Sequence, residues 1–251
     1  MNYPLLVFAV SLTVLWLSTR LGIFFRDKRQ HLDDEVREDF GTILAATLTL
    51  LGLIIGFSFS MAITRYDQRK NFEEAEANAI GTEYVRADLL PSADAAKVRT
   101  LLTNYIGYRI EFYTTRDERR LRLLNAQTNQ VEGQLWSAVQ IPADAQPTPV
   151  ISLAVSGMND VLNSQGYTQA AWWNRIPIEA WALMGMIAIC SNILIGYMTR
   201  GVRTEAMLLL ALPFLVSISF LLIADIDSPR SGLIYVRPQN MVALYDLLHA
   251  H

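Results

Sequence analysis

Hydrophobic residues gather in four long blocks along this chain, Pro4–Phe25, Gly41–Thr64, Ile176–Thr199 and Thr204–Ile226, each broken by very few charges. A hydrocarbon layer about 30 Å thick is crossed by roughly 20 apolar residues in a helix. All four blocks reach that length, so the pattern predicts four membrane-spanning helices. The first block has no basic stretch before it, exceeds the apolar core of a signal peptide, and shows no evident small-residue cleavage site near Arg20. It reads as a retained transmembrane helix. Arg20 then reaches the interface along its aliphatic stem.

The polar stretches between the blocks set the organisation. Residues 1–64 hold spans one and two with the charged loop Arg26–Phe40, and residues 65–175 form a polar insert. Residues 176–226 hold spans three and four joined by the short Arg200–Arg203 loop, and residues 227–251 form a tail. The expected fold is therefore an all-α integral membrane protein with a helical extramembrane domain inserted between helices two and three.

Within the insert, no Gly or Pro breaks Ile63–Ile80, so the second span continues as helix with Phe72, Ala75 and Ala79 on a thin apolar face. Arg69/Glu73 and Lys70/Glu74 are i,i+4 pairs in the weaker orientation. Pro91 stops this helix and Ser92 is the expected N-cap of the next. There Val98, Leu101, Tyr105, Tyr108 and Phe112 form an apolar seam that breaks at Thr114–Arg120, predicting a bend. The seam resumes at Leu121, Leu124, Thr128, Val131, Leu135 and Ala138. Ile141–Pro149 reads as a loop, and a helix around Val150–Asn163 is expected to end near Gly166. Trp172 and Trp173 read as membrane-interface aromatics.

Composition narrows the function classes. Among 251 residues there are 21 basic and 24 acidic side chains, a near-neutral balance that gives no reason to invoke nucleic acid. The single cysteine, Cys190, excludes an intrachain disulfide and a cysteine zinc cluster, and its default reading is a small core hydrophobe. His31, His249 and His251 fall in a charged loop and at the terminus, so no metal and no cofactor is expected. No P-loop, nucleophile elbow or dinucleotide fingerprint is present, and an enzyme is not expected.

Basic residues give a lean on topology. The two short loops carry Arg26, Lys28, Arg29, Arg37, Arg200 and Arg203, and the tail on the other face carries Arg230 and Arg237. Short loops weigh more than long ones, so the short loops are expected in the cytoplasm and the insert outside it, in a multi-pass inner-membrane protein.

Two stretches could carry chemistry at the membrane. Glu179 opens the third span where a carboxylate complements the helix dipole, and no acidic residue lies deeper in the bilayer. That argues against a proton-coupled transporter, whose relay needs intramembrane ionisable groups. At the exit of the fourth span, Asp225 and Asp227 bracket the membrane edge, Pro229 and Gly232 force turns, and Arg230 can pair with either aspartate. The segment reads as a cap that docks the tail or as a mouth for ions; Gly232–Val236 could be extended, and Pro238 sits well at the start of a final helix.

The second span is the richest. Gly41, Ala45, Thr49, Gly52, Gly56 and Ser60 recur at helical spacing as a face of small residues. Such a face lets another helix approach closely, which is the reading the pattern favours. The alternative is the lining of a pore in an oligomer, with Phe57 or Ile54 as an apolar constriction that gates by dewetting.

At Phe57–Gly81 and Asp225–Gln239 the chain resembles a family of bacterial four-span proteins described as carrying a bestrophin-like domain. The resemblance covers nearly the whole chain. It extends to the bestrophins proper, pentameric anion channels whose second span leaves the membrane through a tyrosine–acid pair, which Tyr66–Asp67 looks like. Their neck is built from apolar side chains of the same helix, where Phe57 lies. The twin tryptophans that usually follow the pair are replaced by Gln68 and Arg69, and the first loop of bestrophins is extracytoplasmic whereas the basic residues here lean inward. The resemblance implies a homo-oligomeric channel passing small ions through the bilayer, with Gly52, Gly56, Phe57 and Ser60 along the path and Asp225, Asp227 and Arg230 at a mouth. The competing expectation is a membrane-anchored scaffold or sensor whose insert binds a partner.

Overall fold

The structure, a computed structural model, describes residues 3–28, 34–199 and 206–250. The expectations placed on Arg29, His31, Arg200, Arg203, Thr204 and His251 lie outside the described residues. Every regular element among the described residues is helical: α1 (Pro4–Lys28), α2 (Asp34–Arg86), a 3₁₀ turn (Ala87–Leu89), α3 (Ser92–Thr114), α4 (Glu118–Ala145), α5 (Pro149–Trp173), α6 (Ile178–Met198), α7 (Ala206–Asp227) and α8 (Gln239–His249). The chain divides into two compact units. One holds Met1–Thr64 and Arg175–Tyr235, the other Arg65–Asn174 and Val236–His251.

The first unit contains α1, the first half of α2, α6 and α7. Among the described residues, four helical stretches are long and apolar enough to cross a membrane. The surface of this unit is apolar as well as its interior: Leu5, Leu53, Phe57, Phe214 and Leu215 all point outward. A helix apolar on every side is stable where the surrounding solvent is lipid. Inside, Leu15, Met184, Ala188, Val216, Phe220 and Ile223 are buried, with Phe8 on Phe214 and Trp181 on Phe220 edge to face. Thr19 donates to Asn192 Oδ1 at 3.2 Å, one polar link between α1 and α6. Cys190 is exposed, not a core residue, because its face of α6 turns outward.

The second unit is built from the distal half of α2, α3, α4, α5 and α8 around Ile80, Val98, Leu102, Tyr105, Ile106, Phe112, Leu135, Val139, Ala154, Met158 and Val161. The predicted bend at Thr114–Arg120 is present: α3 stops at Thr114, and Asp117 caps α4 by accepting from Arg119 N at 2.9 Å. Several local expectations need correction. Ser92 is the first helical residue of α3 and makes no capping bond, the cap position being Pro91. The loop expected at Ile141–Pro149 shrinks to 146–148, because α4 absorbs Pro142 in its last turn and Pro149 sits at the start of α5 behind the capping Thr148. Helix α5 runs on through Gly166 to Trp173, so the glycine ends nothing. The charged stretch Arg26–Phe40 is mostly helix as well, since α1 reaches Lys28 and α2 begins at Asp34.

Two corrections bear on function. Trp172 is no interface residue: it is buried against Phe112 and Tyr113, with ring centroids 5.1 and 5.4 Å away, whereas Trp173 is exposed. The inward face of distal α2 is only partly the one expected: Phe72 stacks on Tyr167 and Ala79 packs half-buried against the core. Ala75 is exposed, and the buried positions are Arg69, Glu73, Glu76, Ala77, Ile80 and Glu83. Charges tolerate that placement only where donors meet them.

Candidate functional site

On the first half of α2, Leu51, Ser58 and Ala62 are buried. The small-residue stripe lies elsewhere on the helix: Ala45, Thr49, Gly52, Gly56 and Ser60 are exposed and Gly41 is half-buried. A Cβ placed at Gly52 or Gly56 would meet nothing within 4 Å, so no described part of the chain packs on them. Thr49 and Thr64 donate their hydroxyls back to the Ala45 and Ser60 carbonyls, at 2.8 and 2.9 Å. The Thr49 hydroxyl is thus satisfied within its own helix. Phe57, 63 % exposed, projects from the same stretch, and Ile54 is half-buried.

Close helix contact within the protomer occurs at a different place. A Cβ on Gly22 of α1 would lie 2.1 Å from the Ile193 carbonyl oxygen of α6, and one on Gly196 of α6 would lie 2.1 Å from that of Thr19. Sequence reading missed this crossing. Its signal is Ser18 and Gly22 at spacing four on α1, answered by Ala188, Asn192 and Gly196 on α6.

At the end of α7 the structure places Asp225 and Asp227 in separate roles. Asp225 Oδ1 accepts from Leu233 N at 2.8 Å and Oδ2 from Ile234 N at 2.9 Å, folding the exit turn back over the helix end. Gly232 fits there because a Cβ would stand 2.5 Å from the Asp225 carbonyl oxygen. No strand forms in Gly232–Val236, since these backbone groups are taken by the aspartate. Asp227 accepts from Ile176 N at 3.1 Å and is buried, tying the end of α7 to the entry of α6. Arg230 follows in the turn, half-buried.

The second unit carries a polar network that sequence reading did not anticipate. Arg109 and Glu76, both 0 % exposed, form an ion pair through Nε and Oε1, with Nη2 at 3.2 Å from Oε2. Tyr113 and Thr168 donate their hydroxyls to the same Glu76 oxygen, at 3.4 and 2.8 Å. Burial would weaken the charge on Arg109, but Glu76 beside it holds the guanidinium above its usual range, and the Phe112 ring lies 4.4 Å away. Burial, reinforced by Glu76, pushes the Tyr113 phenol up. Glu73 accepts from Asn240 Nδ2 at 2.6 Å and Met241 N at 3.0 Å, holding the start of α8. The available signal was register: Arg109 falls four residues after Tyr105 and three before Phe112, inside the apolar seam. Among the described residues no three metal-ligating side chains converge.

These features define a multi-pass, all-helical membrane protein. A family model described as "Bestrophin-like domain" matches residues 5–241. The chain belongs to the bestrophin-like family. Comparison with curated proteins found no match. Among solved structures it is similar to a bacterial bestrophin homologue from Klebsiella pneumoniae, at 14 % identity over 96 % of this chain and 97 % of that one, with a TM-score of 0.64. A variant of that homologue gives 14 % identity over 97 % and 98 %, TM-score 0.63. A crystal structure of a further membrane protein gives 13 % identity over 96 % and 97 %, TM-score 0.65.

Proposed function

We propose that the chain is one subunit of a homo-oligomeric ion channel in which the first half of α2 lines the path. The observation that carries this reading is the exposed stripe of Gly52, Gly56 and Ser60, unpacked within the protomer, with Phe57 projecting beside it. The bestrophin-like family, whose bestrophin members are ion channels, supports it. Closed rotational symmetry would bring copies of α2 around one axis. Small side chains leave room for small ions, and a ring of Phe57 side chains is an apolar constriction that gates by dewetting.

In this reading the helical insert, residues 65–175, lies between spans two and three, outside the cytoplasm of the inner membrane, with the basic short loops inside. Asp225 and Asp227 shape a mouth by holding backbone, since the Asp225 oxygens are committed to Leu233 and Ile234. Arg230 adds positive charge there. The channel needs no cofactor and no nucleic-acid partner. Purified protein reconstituted in liposomes is expected to pass ions, and Phe57→Ala to change the flux. Liposomes silent over a broad range of salts and pH would overturn the reading.

A further inference from the structure

Three carboxylates of distal α2 face the interior of the second unit: Glu73, Glu76 and Glu83. The first two are met by donors from α8, α3 and α5. Glu83 is not. It is 0 % exposed, and neither oxygen has a hydrogen-bond partner among the described residues. It sits where α5 has no side chain: a Cβ on Gly157 would be 2.0 Å from Glu83 Oε2 and 2.6 Å from Arg86 Nη1. The carboxyl therefore fills the notch that Gly157 leaves.

The charges acting on Glu83 are Arg86, one turn on along α2, and Asp160, one turn beyond Gly157 on α5. Arg86 Nη1 stands 3.9 Å from Asp160 Oδ2, so its charge is shared with a carboxylate that keeps much of its solvent. On the neighbouring 3₁₀ turn and α3, Asp88 and Arg99 pair with each other, and Arg99 Nε donates to the Tyr84 carbonyl. An ionised Glu83 would keep its desolvation cost with only the shared charge of Arg86 to offset it, whereas a neutral carboxyl carries the smaller cost of an unbonded polar group.

We propose that Glu83 is a proton-held latch between α2 and α5: its neutral carboxyl packs against Gly157, and release of the proton loosens the α5 segment around that glycine. Burial pushes this carboxyl up to about 8, with Arg86 pulling it down and Asp160 pushing it up again. The folded value lies above the ordinary 4.5, so the latch's stabilisation is complete below about 4.5 and is lost as pH rises through about 8.

Hydrogen–deuterium exchange of the full-length protein in detergent tests this, comparing wild type with Glu83→Gln, a neutral side chain of the same shape. At about pH 6 the amides of residues 154–161 are expected to exchange alike in both; at about pH 9 they should open on the order of tenfold more in wild type. Equal exchange in both proteins at both pH values overturns the latch. Infrared spectroscopy supplies a second readout, whose first arm needs the wild type alone. Wild type should show the C=O band of a neutral carboxylic acid at about pH 6.5 and lose it above about pH 9. Absence of that band at the lower pH, or its full persistence in a folded Glu83→Gln protein, also overturns the proposal.

Discussion

Gly22 and Gly196 face each other's helices so closely that a methyl group on either would fall 2.1 Å from a backbone oxygen of the opposite one. Backbone cannot swing aside as a flexible side chain can. Gly22→Ala and Gly196→Ala must therefore separate α1 from α6, which overpacking studies put at about 1–3 kcal/mol. Separation also stretches the Thr19–Asn192 bond. Thermal unfolding in detergent should show a lower Tm for either variant. An unchanged Tm in both would mean that the two helices do not cross at this distance.

Gly52 and Gly56 present the opposite case. A Cβ at either meets nothing within 4 Å, so alanine should leave the protomer's stability within about 0.5 kcal/mol apart from a small gain in helix propensity. In the proposed oligomer any effect appears between subunits. Gly56→Leu in a lining helix should keep the oligomer intact and cut flux; in a packing helix it should dissociate the oligomer. Cross-linking and liposome flux on the same preparation separate the two outcomes.

The difference between these glycine pairs shows what the sequence makes legible. Four apolar blocks were readable because partition into lipid depends on local composition alone, and the bend after Thr114 because the apolar register visibly breaks there. The close crossing within the protomer, Gly22 with Gly196, escaped notice because it needs two helices far apart in sequence to be seen together. The buried carboxylates of distal α2 were not singled out for the same reason. Glu76 looks solvated until Arg109 and Thr168, 33 and 92 residues away, are brought to it. The stripe was read from spacing and Phe57 as an apolar constriction, but what faces them in the proposed oligomer lies outside any single chain's pattern.

The Glu76–Arg109 pair is a sharp test of the second unit's core. Removing one partner leaves an uncompensated buried charge, a loss of about 3–5 kcal/mol. Glu76→Gln and Arg109→Met should each destabilise by that order, and Glu76→Gln also weakens the acceptor used by Tyr113 and Thr168. Combining Glu76→Met with Arg109→Met removes both charges and should cost less than the two single changes added together. Denaturant unfolding of the three variants gives the comparison; single variants that lose less than about 1 kcal/mol would show that water reaches the pair.

Asp225 separates shape from charge at the exit of α7. Both of its oxygens accept backbone N–H groups, and hydrogen bonds to a charged acceptor are worth roughly 1.5–3 kcal/mol when made. Asp225→Ala should free the turn from Ser228 to Arg237, read as faster hydrogen exchange and earlier protease cleavage there. Asp225→Asn keeps one strong acceptor and loses the charge. A residue that only holds the turn then predicts a partly ordered exit and an unchanged ion preference in Asp225→Asn, with flux falling mainly in Asp225→Ala. A residue whose charge meets passing ions predicts the reverse, a changed preference in both variants. The committed geometry of its two oxygens favours the first outcome, and reversal potentials measured across an ion gradient decide it.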